Sequence, residues 1–201
     1  MLRSDVAYEQ ESAEARTRRL LATTQALFFF SLFVCLVISH GHQAQTNGIS
    51  FYGVYGPTMA VLIAGYVAAG VGLWRASNIF RFSDAPASVW IGLRFVALDL
   101  AVLLLTPYNQ GTFLNWAHMV AGVVGALVQV AITVALVRVH RSSRALYGLC
   151  VQLLGGVFAA ISLPDWRLDV LLAGQIIFQI GFGWCLMEWS TALHAQRAVL
   201  A

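Results

Sequence analysis

The sequence predicts an all-α polytopic membrane protein of six transmembrane helices, with both termini in the cytoplasm. Three observations predict it. Of 201 residues, 59% are apolar and only 10% charged, against roughly 45–50% and 25% in soluble domains. The apolar residues gather in six runs, each long enough for a hydrocarbon core about 30 Å thick. The cations are sorted: all 12 are arginine, none is lysine, and they cluster at alternate run ends. The missing lysines also exclude Schiff-base retinal and pyridoxal sites and a P-loop.

Residues 1–19 are polar and of mixed sign, and read as a cytoplasmic tail, a surface helix running into the first span. Span one is Leu20–Ser39, centred on Phe28-Phe29-Phe30. Arg16, Arg18 and Arg19 before it resemble a signal peptide, but no small-x-small cleavage site follows, so the span reads as uncleaved. Span two is Pro57–Arg75, with proline suited to a first helical turn. Span three is Ser88–Thr106, stopped by Pro107, and span four is Asn115–Arg138. Span five is Leu146–Leu163, stopped by Pro164; span six is Val170–Trp189, and residues 190–201 form a second cytoplasmic tail. Backbone groups must pair internally in lipid, so helices are the expected form.

With the N-terminus inside, inner segments hold Arg3, Arg16, Arg18, Arg19, Arg75, Arg81, Arg138, Arg141, Arg144 and Arg197. Outer loops hold only Arg167, and Arg94 lies within a span. That bias sets the orientation, in what is expected to be the plasma membrane. It also accounts for the net charge of +3 without nucleic acid. Trp74, Trp90 and Trp189 are expected at the inner interface, and Trp116, Trp166, Tyr52, Tyr55 and Tyr108 at the outer one. The longest outer loop, from His40 to Gly56, carries no formal charge.

Small residues recur every four positions in span two, at Gly56, Ala60, Ala64, Ala68 and Gly72. A similar row in span five is Gly148, Gln152, Gly156 and Ala160. Such stripes let helices approach closely, and intramembrane amides bond between helices. Cys35, Cys150 and Cys185 lie in apolar runs without metal-ligand spacing and are expected to be packed thiols.

Ionisable groups inside a membrane are costly and mark candidate sites. Asp99 stands mid-span between Leu98 and Leu100, a hydrogen-bond hub or a proton- or cation-coupled group. Arg94 is about 140° around the helix from it, too far for a same-face pair, and can reach back to headgroups. Gln129 in span four, Gln152 in span five, and Gln175 and Gln179 in span six complete the intramembrane polar set with His118. His118, His40 and His42 are weak candidates for an outer metal site, which would require all three to converge. The primary expectation is no metal, no cofactor and no catalytic residue.

The segment Asn47-Gly48-Ile49-Ser50-Phe51-Tyr52-Gly53 followed by Pro57, with His118, Gly122, Gly125 and Gln129 in span four, resembles the DRAM/Frag-type six-helix membrane proteins. Bacterial six-span families share this outline. The resemblance implies a non-enzymatic role in membrane organisation, lipid handling or stress response, and carries over no catalytic residue. Three functions are therefore expected, in this order. The first is a non-enzymatic protein binding lipid, a partner or a second copy through its small-residue faces. The second is a small-solute or proton-coupled transporter using Asp99 and a glutamine-lined interior. The third is an outer-surface membrane enzyme using His40, His42, His118 and Asp165 or Asp169.

Overall fold

In the computed structural model, the backbone is described for residues 2–83, 85–162 and 169–200. Side chains are described for residues 15–83, 85–139, 141–162 and 169–190. Pro164, Asp165, Trp166 and Arg167 lie outside the described residues, as do the side chains of Arg3, His140, His194 and Arg197.

The described chain is all helix and turn. Its elements are α1 (Leu2–Ile38), α2 (His42–Asn47), α3 (Ser50–Val54), α4 (Gly56–Arg81), α5 (Ala87–Leu105), α6 (Thr112–His140), α7 (Ser143–Ala160) and α8 (Leu171–Leu200). Six of them, α1 and α4 to α8, are long and apolar enough to cross a membrane. They are the six expected spans. The tails are continuous with their spans, since α1 begins at Leu2 and α8 runs to Leu200. Pro57 stands in the first turn of α4, where its missing N–H costs no helical bond.

The long helices form a ring. Each packs on its neighbour in sequence, and α8 closes on α1 and also touches α6. Helix–helix attraction in lipid comes from packing, because lipid tails are as apolar as leucine. Glycines set where backbones meet. On α4, Gly65 lies against Ser31 and Gly72 against Thr24 of α1. The tightest seam joins α7 and α8, where Gly148, Gln152, Gly155 and Ala159 meet backbone or side-chain atoms near Cys185, Gly181 and Gly174.

The expected stripes meet the true seams only in part, at Gly72 on α4 and at Gly148 and Gln152 on α7. Gly56, Ala60 and Ala64 face outward, and the buried line of α4 runs through Leu62, Gly65, Ala69, Gly72 and Ala76. On α7 the seam runs from Gly148 to Gly155; Gly156 stands one position round and only touches the Phe178 ring.

Two apolar clusters fill the ring. At the arginine-bearing end, Leu73, Phe80, Leu93, Leu136, Phe182 and Leu186 pack together. At the other end, Phe28, Leu32, Leu62, Tyr66 and Leu172 pack with Ile49, Phe51 and Tyr52. The last three come from the first loop, which is folded rather than irregular. Gly48 turns the chain between α2 and α3 with φ +69°, a value that glycine tolerates. Tyr52 is therefore a buried core residue and not part of an interfacial belt, and its hydroxyl donates to the Ser39 carbonyl at 3.0 Å. Trp189 is likewise buried. Cys35 and Cys185 are packed, whereas Cys150 is exposed on the outward face of α7.

Candidate functional site

The expected polar residues are distributed over separate seams. At the α2–α3 end, three side chains tie the loop helices to the bundle. His118 of α6 bridges two elements, with Nε2 2.6 Å from the Ser50 hydroxyl and Nδ1 2.6 Å from the Thr106 carbonyl. The carbonyl can only accept, so Nδ1–H donates to it, and a neutral ring accepts from Ser50 through Nε2. Gln175 of α8 accepts the Ile49 N–H through Oε1 at 2.7 Å and sits against Gly48. Asp169 accepts from the Thr46 hydroxyl at 3.1 Å and lies 3.3 Å from His42 Nδ1.

His40 is exposed and takes no part in these bonds. His118 is thus spent on Ser50 and Thr106, and His42 is turned to Asp169. Among the described residues, no group of three or more His, Cys, Asp or Glu side chains is placed to hold a metal ion. Burial pushes the hydroxyl of Tyr108 upward, as it does that of Tyr52, where Cys35 adds a smaller push in the same direction.

In the middle of the bundle, Asp99 is 8% exposed. Its carboxylate rests in the space a side chain at Gly125 of α6 would occupy, and a Cβ there would collide with Oδ2. Among the described residues it has neither a hydrogen-bond donor nor a cation. Gln129 follows Gly125 by one turn on the buried face of α6, and its Oε1 is unpaired. Gln152 is fully buried at the α7–α8 seam with both amide atoms unpaired. Gln179 is half-buried and makes no side-chain hydrogen bond among the described residues.

Arg94 turns away from Asp99, as the helical angle requires. It crosses to α4, where Nε donates to the Ser77 hydroxyl at 3.3 Å and an Nη donates to Asn78 Oδ1 at 2.8 Å. Its guanidinium carbon stands 5.2 Å from the ring centres of both Trp74 and Trp90. Arg81 adds a second guanidinium, 5.6 Å from Trp90 and 5.7 Å from Phe82. Trp90 thus carries two cations. The local cause is helical spacing: Trp90 and Arg94 are one turn apart on α5, and Trp74, Asn78 and Arg81 share one side of α4. Trp74 (42% exposed) and Phe82 (81% exposed) keep the cluster open to its surroundings. Among the described residues neither guanidinium meets a carboxylate. In the sequence Arg94 stands out as an intramembrane cation and Trp90 lies one turn before it, but their grouping with Arg81 and Trp74 appears only in the fold.

The fold defines a polytopic, all-α membrane protein. No family model, curated protein or solved structure matches the chain.

Proposed function

We propose that the protein is a non-enzymatic, membrane-organising protein of the plasma membrane that holds lipid and presents an outward face to a partner. The observation that carries this reading is the arginine–tryptophan cluster, two cations on one aromatic platform at a helix end and open to the membrane surface. Support comes also from how the other polar groups are used. His118, Gln175 and Asp169 tie one element to another, as a scaffold requires. The arginine sorting argues for cytoplasmic termini, which sets the cluster on the inner side. The outward stripe of Gly56, Ala60 and Ala64 suits close approach by a protein partner or a second copy. The DRAM/Frag-like outline of the sequence points the same way.

A second reading, a proton-coupled transporter, is favoured by one observation, the unpaired Asp99 carboxylate against Gly125. One pair of measurements separates the two. Protein extracted in mild detergent is expected to retain phospholipid by native mass spectrometry. Reconstituted in liposomes, it is expected to pass protons no faster than empty liposomes. Proton flux that Asp99→Asn abolishes would replace the first reading with the second.

A further inference from the structure

The arginine–tryptophan cluster has an unfilled valence. A guanidinium has five N–H donors and no acceptor. Arg94 places two of them, on Ser77 and Asn78, and the remaining three have no acceptor among the described residues. Arg81 has none of its five placed on a described acceptor, and only aromatic faces lie beside it. Stacking on tryptophan orients a guanidinium and lets it shed water, but it satisfies no N–H.

The cluster's depth says which anion can complete it. Arg94 is two turns into α5, and its side chain reaches back towards the helix end, to Asn78. Trp74 and Phe82 are exposed on the same end of α4. An amphipathic ring such as that of Trp74 settles at headgroup level. The anion abundant at that level is the phosphate of a phospholipid, and its oxygens match the planar fork of arginine. The acyl chains of such a lipid would descend along the outward apolar face of α4 and α5, where Val67, Val71, Ile91, Phe95 and Leu98 are exposed.

We propose that Arg81 and Arg94, held by Asn78, Ser77, Trp74 and Trp90, form a binding site for the headgroup phosphate of an anionic membrane phospholipid. This deepens the lipid-holding reading and rests on it. Arg94 is the ordered donor, because two neighbours fix its plane. Arg81 supplies the second charge beside the same Trp90 ring, and Asn78 is a positioning residue that acts through Arg94.

The test uses the full chain in nanodiscs of phosphatidylcholine, with and without phosphatidylglycerol, and native mass spectrometry of the lipid retained on ejection. Wild type is expected to retain phosphatidylglycerol in preference to phosphatidylcholine. A basic side chain near an anionic surface contributes about fivefold in affinity. Arg81→Gln and Arg94→Gln should therefore each weaken retention by about fivefold, and the double variant by about 25-fold. Asn78→Ala should weaken it less than Arg94→Gln.

Arg144→Gln removes an exposed arginine from another helix of the same end, and should leave retention unchanged. An equal loss in Arg144→Gln would mean general surface charge, and would overturn the site. Equal retention by wild type and the folded double variant would overturn the site and leave the lipid-holding reading intact. Retention of no lipid by any form would overturn both. Displacement of phosphatidylglycerol by millimolar inorganic phosphate would show that a free phosphate suffices, and would overturn the lipid as occupant.

Discussion

Replacing Gly155 with alanine should drive α7 and α8 apart. A Cβ at Gly155 would stand 2.7 Å from the Gly174 carbonyl oxygen and 2.8 Å from the Ile177 carbonyl carbon, and closer still to the Phe178 amide nitrogen. All three are backbone atoms of α8, so none can rotate aside. Restoring ordinary contact near 3.4 Å at the Gly174 oxygen requires the helices to part by about 0.7 Å, and at the Phe178 nitrogen by more. A gap of that size forfeits a quarter to a half of each contact's attraction. If the seam around Gly155 holds about as many contacts as one buried leucine, about 40 at about 0.15 kcal/mol each, the loss is about 1.5–3 kcal/mol. That agrees with the ~1–3 kcal/mol typical of overpacked cores.

Gly156 is the internal control. A Cβ there would stand 3.5 and 3.7 Å from two carbons of the Phe178 ring, which is ordinary contact. Gly156→Ala should therefore be neutral, or stabilising by about 0.5–1 kcal/mol through helix propensity. The assay is equilibrium unfolding in mixed micelles by titration with a denaturing detergent, followed by tryptophan fluorescence. Equal midpoints for the two alanine variants would refute the reasoning, because it rests on which glycine faces α8.

Three further outcomes are expected in the same assay. Gln152→Met should stabilise by about 1–2 kcal/mol, since it removes a buried amide whose two polar atoms lack partners; a clear loss of stability would show that the amide is bonded. His118→Ala should cost about 1–3 kcal/mol, because the Ser50 hydroxyl and the Thr106 carbonyl both lose their partner, and a midpoint equal to wild type would show the bridge to be idle. Tyr52→Phe should cost about 1 kcal/mol at neutral pH, for the lost bond to Ser39. The Tyr52 hydroxyl is pushed up by burial in the fold. Its neutral form therefore contributes fully below the unfolded value of about 10, and the contribution fades as pH rises through the folded value. Wild type should lose stability in alkali faster than Tyr52→Phe, and parallel alkaline profiles would exclude that role.

Arg94 and Asp99 show how far the polar sites were legible. Both stood out as ionisable groups within an apolar run, and the helical angle between them already forbade a pair. The angle could not say where each would turn. Arg94 found its partners on α4, in Ser77, Asn78 and Trp74, and Asp99 found only the bare face of Gly125. His118 was legible as a residue at the outer end of its span. Its partners were not, because Ser50 lies 68 positions earlier in the chain and meets it only when α3 folds over the bundle.

The sequence by itself determined the fold class, the six spans and the clustering of arginine. These follow from transfer free energy, which is a sum over local residues and requires no partner. Only the tertiary structure decided which face of each helix is inside. In lipid both faces of a span are apolar, so hydropathy cannot rank them; contact shape decides. That is why the stripe from Gly56 to Gly72 meets the α1 seam only at Gly72 while Gly56, Ala60 and Ala64 face outward, and why Gly155 rather than Gly156 continues the α7–α8 seam from Gly148. The same geometry brought Arg81 of α4 beside the Trp90–Arg94 pair of α5, a meeting of two helices that neither segment's spacing shows by itself.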